Sequence, residues 1–354
     1  MMMLAFQASA DGRAGDAGRG IRQTAVMTVS TEVSWQLEGI TLFGTLLEPD
    51  GDGPFPAVVL VAGSGPTDRD WESPLLPGTN GSGRLLAETL ADAGFATLRY
   101  DKAASGPHAA ENVPQLIGRL SMAWHLGELA GAVGVLAAQA SVDAAQIVGL
   151  GNSEGCLHVL NYATSAQAVP FAGLVLAAPP GRSVGAVLRT QLDAQLALVP
   201  GGAELMPLLH ESLDRYAAGE LADPPPELPE QLTQVLAAFE EPANLPFARE
   251  LFTLDAAKLL PRDELPTLVL IGEKDIQISV ELDGGPLQDA AAERSNVSFA
   301  FPPNANHVLK EDLRPLAEIA AAPGTGYNED GTRLDPEAVS LIVDWLRRTV
   351  ATAP

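Results

Sequence analysis

From residue 57 onward the chain alternates short apolar runs with longer amphipathic stretches. "AVVLVAG", "ATLRYD", "AQIVGLG", "AGLVLAA", "TLVLIGE" and "VSFAFP" are uninterrupted apolar runs of strand length. Such runs suit strands covered on both faces, as in a parallel sheet. Between them, "GRLLAETLADAG", "LGELAGAVGVLAAQA" and "EGCLHVLNYATS" carry helical spacing. This alternation predicts an α/β fold with a mostly parallel sheet flanked by helices. Upstream, "AVMTVSTEVSW" and "LEGITLFGTLLEP" are rich in β-branched and aromatic residues and predict an N-terminal β-hairpin.

The alternation breaks once. Residues 182–262 hold no good strand, only amphipathic stretches such as "VGAVLRTQLDAQLAL" and "AELMPLLHESLDRYAAG", interrupted by "ADPPPELPE" and "EPANLPF". Strand candidates lie on either side, so this segment reads as a helical insertion into a core made of residues 24–181 and 263–354. The closing "DPEAVSLIVDWLRR" reads as a helix with Asp335 as N-cap, Pro336 at the first turn and basic residues in the last. Residues 1–23, dominated by Gly, Ala and Asp, read as a disordered tail. "ASA" in this tail resembles a signal-cleavage site, but a basic n-region is missing and the apolar run is short. A cytoplasmic location is the expectation.

Composition narrows the function. The net charge of −24 argues against nucleic acid, whose binding depends on Lys and Arg neutralising phosphates. No stretch approaches the ~20 apolar residues of a membrane span. One cysteine, Cys156, excludes an internal disulfide and a Cys-based zinc site. Neither HExxH nor paired-His spacing occurs, so no metal is expected.

The candidate chemistry centres on serine. "GNSEG" and "GRSVG" both match G-x-S-x-G, with Ser153 and Ser183 at their centres. The pattern matters because a nucleophile carried on a tight strand-to-helix turn needs small residues two before and two after it. "QIVGLG" runs directly into the turn at Ser153 and "EGCLHVLNYA" continues as a helix, whereas Ser183 follows Pro179-Pro180, which favour an extended exit from the sheet. Ser153 is therefore the expected nucleophile. A serine hydroxyl needs a base. Of His108, His125, His158, His210 and His307, the last lies in the turn-rich "FPPNANHVLK" after the final strand candidate. Open α/β sheets place their sites at that edge. His108, in the loop "SGPHAAEN", is a rival; His125, His158 and His210 sit in helical patterns. "TLVLIGEKDIQIS" supplies Asp275 as the acid that orients the imidazole, with Glu273 as runner-up. Oxyanion donors are expected from the backbone N–H of Glu154 and, in "VLVAGSGPTDRD", from Ser64, with Gly65 as alternative.

These pieces, "AGSGPTDRD", "RYDK", "GNSEG", "LIGEKDIQIS" and "NANH", run in an order that resembles the α/β-hydrolases, and more narrowly a carboxylesterase group with a GSGPTDRD oxyanion-loop motif. The resemblance covers residues 36 to 347 apart from most of the insertion. It implies ester hydrolysis through an acyl-enzyme, a helical cap over the site, no cofactor, and small-molecule ester substrates. It carries the roles of nucleophile, acid and base to Ser153, Asp275 and His307. A serine aminopeptidase of the same fold is the alternative; it would need an acidic anchor such as Glu204, Glu211 or Glu220. Three departures stand out. Asn152 and Cys156 replace the His and last Gly of the family's "GHSEGG", and "RYDKAASGPH" lacks the usual Arg-Gly after the lysine.

Overall fold

The computed structural model describes residues 28–260 and 264–351, so the tail expected over residues 1–23 lies outside the described residues. The hairpin consists of β1 (Val29–Leu37) and β2 (Ile40–Glu48), paired antiparallel through a two-residue turn at Glu38-Gly39. Both turn residues have positive φ, 46° and 89°, the conformation that lets a two-residue loop follow the twist of its strands.

The alternating region then follows. β3 (Phe55–Val61), α1 (Ser82–Asp92), β4 (Ala96–Tyr100), α2 (Ala109–Leu116), α3 (Met122–Ala137), β5 (Val142–Asn152), α4 (Glu154–Ala163) and β6 (Gly173–Ala177) succeed one another. After β6 come α5 (Val184–Leu196), α6 (Gly202–Ala217), α7 (Glu230–Glu240), α8 (Phe247–Thr253) and α9 (Ala256–Leu259). The sheet resumes with β7 (Thr267–Leu270), α10 (Gly285–Ala290), β8 (Val297–Ala300), α11 (Leu316–Ala321) and α12 (Pro336–Ala351). Eight strands form one sheet in the order β1-β2-β4-β3-β5-β6-β7-β8, with β3 through β8 parallel and the hairpin antiparallel at one edge.

The continuous apolar runs follow from burial on both faces. Along β3, Val58 and Leu60 pack with Leu86 and Leu90 of α1 and Ile342 and Leu346 of α12. Val59 and Val61 face the other way, toward Leu129 and Val133 of α3 and Leu157 and Leu160 of α4. Period-two alternation thus sends every second residue into a different core layer. Helix α3 starts at Met122, earlier than the amphipathic run from Leu126 suggests, because Ser121 caps it by accepting the N–H of Trp124 at 3.0 Å. At the chain end Asp335 caps α12, accepting from Ala338 N at 2.7 Å.

The helices between β6 and β7 have a core of their own, built from Leu192 and Leu196 of α5, Leu213 and Tyr216 of α6, Val235 of α7 and Phe252 of α8. Arg249 lies over the Tyr216 ring at 3.8 Å and donates to the Tyr216 carbonyl, joining α8 to α6. Among the described residues, no helix is long and apolar enough to cross a membrane.

Candidate active site

The segments that follow β3, β5, β7 and β8 line one cleft. β5 ends at Asn152 and α4 begins at Glu154, leaving Ser153 alone at the turn with φ 54° and ψ −119°. A β-carbon residue held in such a region costs on the order of 1–3 kcal/mol. The bonds from Ser153 N to Ala177 O (2.8 Å) and from Cys156 N to Ser153 O (3.0 Å) hold it there. Both glycines of the pattern have steric causes. A Cβ on Gly151 would lie 2.4 Å from the backbone of Gly155, and one on Gly155 would lie 2.3 Å from the Val61 carbonyl.

The second G-x-S-x-G has a different structure. Ser183 is the N-cap of α5, in ordinary extended backbone (φ −56°, ψ 143°), and accepts from Ala186 N. Its glycines are small because Asp283 and Phe252 pack against them.

Asp275 follows β7, and its side chain is fully buried. Its Oδ1 accepts from the backbone N–H groups of Gln277 (2.7 Å) and Ile278 (2.9 Å), and its Oδ2 lies 2.8 Å from Nδ1 of His307. A carboxylate only accepts, so Nδ1 carries the proton and Nε2 is left as the basic nitrogen. Of the five histidines, His307 is the one lining the cleft with Ser153. Glu273, two residues before Asp275, is exposed. Tyr327 stacks near the imidazole, at 6.4 Å between centroids, and Gln277 donates to its hydroxyl. Burial and the Asp275 charge push that phenol well above its ordinary pKa.

The remaining histidines have other partners. His108 stacks on Phe43, His210 pairs with Asp193 at 2.7 Å, and His125 pairs with Glu128 at 2.7 Å. His158 donates from Nε2 to Glu154 at 3.2 Å, and burial depresses its pKa to about 4, so it is neutral.

The loop after β3 forms the other wall. Gly63, Ser64 and Gly65 line the cleft of about 60 Å³ that holds Ser153 and His307. The Gly63 backbone passes close to Ser153, since a Cβ there would lie 3.4 Å from the serine Cβ. Two crossed ion pairs anchor this loop to the end of β4. Arg69 binds Asp101 through its backbone N–H and its guanidinium, while Asp70 pairs with Arg99. The "DRD" of the loop and the "RYD" of the strand are thus complementary, a relation the sequence signals only as charges in two separate segments.

Asn152 and Cys156 flank the serine. Asn152 donates from Nδ2 to the His307 carbonyl at 2.9 Å, and the Cys156 thiol, wholly buried, points to the carbonyls of Gly151 and Ala177. Burial pushes that thiol well above its ordinary pKa. Beside the cleft, across Gly65 and Pro66, lies a larger cavity of about 260 Å³. Val113, Leu116, Phe239, Phe247 and Leu251 wall it, with Lys102, His125 and Glu154 on its polar side.

A parallel sheet with an antiparallel leading edge, a strained serine between a strand and a helix, and a carboxylate-bound histidine after the last strand define an α/β hydrolase. The chain belongs to the alpha/beta hydrolase family, whose family model matches residues 58–322. It is 30% identical over 268 residues to the esterase EstD of Thermotoga maritima, a match covering 75% of this chain and 57% of that protein. The chain therefore spans less than two thirds of the length of this curated relative. Its fold is similar to that of an esterase from Pyrococcus furiosus (TM-score 0.54, 16% identity, 91% of each chain). It is also similar to a proline iminopeptidase from Mycobacterium smegmatis (TM-score 0.55, 15% identity, 92% of this chain and 100% of that one). At these identities the two structures share the fold alone.

Proposed function

We propose that this protein is a serine carboxylesterase of the group carrying the GSGPTDRD loop, acting on small to medium acyl esters through an acyl-enzyme. The observation that carries the reading is the Asp275–His307 bond at 2.8 Å, in a cleft shared with Ser153 on its strained turn. In this reading Nε2 of His307 takes the Ser153 hydroxyl proton as Oγ attacks the ester carbonyl. The developing oxyanion is held by the N–H groups of Glu154 and Ser64, with Gly65 as the alternative donor. The protonated imidazole gives its proton to the departing alkoxide, and the acyl group stays on Ser153. Water, deprotonated by His307, then releases the acid. Asp275 keeps the proton on Nδ1 and stabilises the imidazolium.

The similarity to EstD supports an ester substrate. So does the neighbouring cavity of about 260 Å³, whose walls are mostly apolar. Engineered apolar cavities of roughly 150 Å³ hold benzene, so a medium acyl or aryl group fits. An aminopeptidase would need a carboxylate for the substrate's ammonium. Glu154, on the polar side of this cavity, is already bonded to Lys102 and His158; among the described residues α5–α9 contribute no acidic side chain to it, and Glu204, Glu211 and Glu220 are exposed elsewhere. The test is turnover of p-nitrophenyl acetate and butyrate beside aminoacyl-nitroanilides. Ser153→Ala is expected to lose activity by up to ~10⁶-fold, while Ser183→Ala keeps it. Higher kcat/KM on the amides, or an active Ser153→Ala enzyme, would overturn the reading.

A further inference from the structure

Lys102 follows β4 in the segment "RYDK", with only 5% of its side chain exposed. Its Nζ donates to the carbonyl oxygen of Gly63 at 2.6 Å and pairs with Oε1 of Glu154 at 2.9 Å. Gly63 precedes Ser64, and Glu154 follows Ser153. One ammonium therefore grips both segments whose backbone N–H groups are assigned to the oxyanion.

Peptide planarity converts this grip into an orientation. Among the described residues only Gly53-Pro54 and Leu245-Pro246 are cis, so the Gly63–Ser64 peptide is trans. In a trans peptide the C=O and the N–H point in opposite directions. The Gly63 carbonyl is turned to Lys102, which lines the larger cavity together with Glu154. The Ser64 N–H is thereby turned to the opposite side of the loop, where Ser64 shares a cleft with Ser153 and His307. We infer that Lys102 is a positioning residue for the oxyanion hole. Its bond to Gly63 sets the rotation of the 63–64 peptide, and its pair with Glu154 sets the spacing between the loop and the start of α4. A cation on the carbonyl also polarises the same peptide and strengthens its N–H as a donor.

Burial favours this over a solubilising role. An ammonium withdrawn from water is costly unless its partners are well placed, and surface pairs contribute little. Burial raises the Glu154 carboxyl, but the charge of Lys102 beside it opposes this, with help from the His158 hydrogen bond, and the carboxyl lies well below its ordinary range. Glu154 in turn holds Lys102 against the loop through the 2.9 Å contact. The inference rests on the esterase reading of the same cleft.

The test compares the full-length wild type with Lys102→Met and Lys102→Arg. Three quantities are measured: the fraction of sites labelled by a fluorophosphonate, kcat and KM per labelled site on p-nitrophenyl butyrate, and affinity for an aryl trifluoromethyl ketone. The ketone adds to the serine and leaves an oxyanion in the hole. Removing one oxyanion donor outright costs roughly 10²–10³ in rate, so misaiming one is expected to cost Lys102→Met about 10–10² in kcat. Ketone affinity should fall by the same factor with KM within about threefold, and Lys102→Arg should recover most of the loss. Where Lys102→Met fails to fold with Glu154 stranded, Lys102→Met/Glu154→Gln removes both charges and is expected to show the same loss. A folded variant with wild-type kcat and ketone affinity would overturn the inference. So would a loss confined to the labelled fraction, which marks a merely structural lysine. Absence of both turnover and labelling in the wild type would overturn the esterase reading itself, and this inference with it.

Discussion

Asn152 donates from its side chain to the backbone carbonyl of His307 at 2.9 Å, linking the residue before the elbow serine to the loop that carries the histidine. Both residues are buried, so this bond joins the ends of β5 and β8 without water between them. Replacing Asn152 by Ala strands the His307 carbonyl, at about 1–3 kcal/mol. Urea unfolding should detect that loss, and kcat on a nitrophenyl ester should fall about tenfold with little change in KM. Asn152→His, which restores a ring N–H, should lose less.

The acid is expected to act through the imidazole alone. Asp275→Asn preserves shape but favours the wrong tautomer of His307, and kcat should fall by roughly 10⁴. Glu273→Gln, at the exposed position two residues earlier, should stay within about twofold of wild type. Steady-state kinetics on the two variants checks the assignment.

Two glycines should respond in opposite ways to alanine. Gly151→Ala places a Cβ 2.4 Å from the Gly155 backbone, which must shift, and destabilisation of about 1–3 kcal/mol or more is expected. Gly134, exposed in the last turn of α3, has nothing within 4 Å of such a Cβ. Gly134→Ala should stabilise by about 0.5–1 kcal/mol. Denaturant midpoints at unchanged m-value decide both.

His158 makes stability pH-dependent in a defined window. Its folded pKa is depressed to about 4 from an ordinary 6.5, through burial, with the Glu154 bond opposing the shift and His125 and Lys102 adding to it. Between these values the unfolded chain binds a proton that the folded protein does not, so stability falls as pH drops from 6.5 toward 4. The shift corresponds to an order of 3 kcal/mol at full effect. His158→Gln should show a shallower decline over that window when unfolding free energies of the two proteins are compared from pH 7 to pH 4.

The segments that became strands, and the short turn around Ser153, are readable because their causes are local. Double-sided burial writes continuous apolar runs, and the elbow admits only small residues at Gly151 and Gly155. Asp275 and His307 are readable as candidates because each follows a strand run in a loop. The start of α3 at Met122 was equally local, marked by Ser121, but the apolar periodicity concealed it.

Local rules along the chain therefore account for the α/β class and the chain order of the chemically competent residues. Tertiary structure alone decided which charges meet. Lys102 reaches Gly63 across 39 residues and Glu154 across 52, because the sheet order places β4, β3 and β5 side by side. The same neighbours bring Arg69 to Asp101, and the separate ends of β5 and β8 bring Asn152 to His307. Steric and periodic rules act within a few residues of chain, whereas an ion pair is chosen by strand order, and no single segment encodes that order.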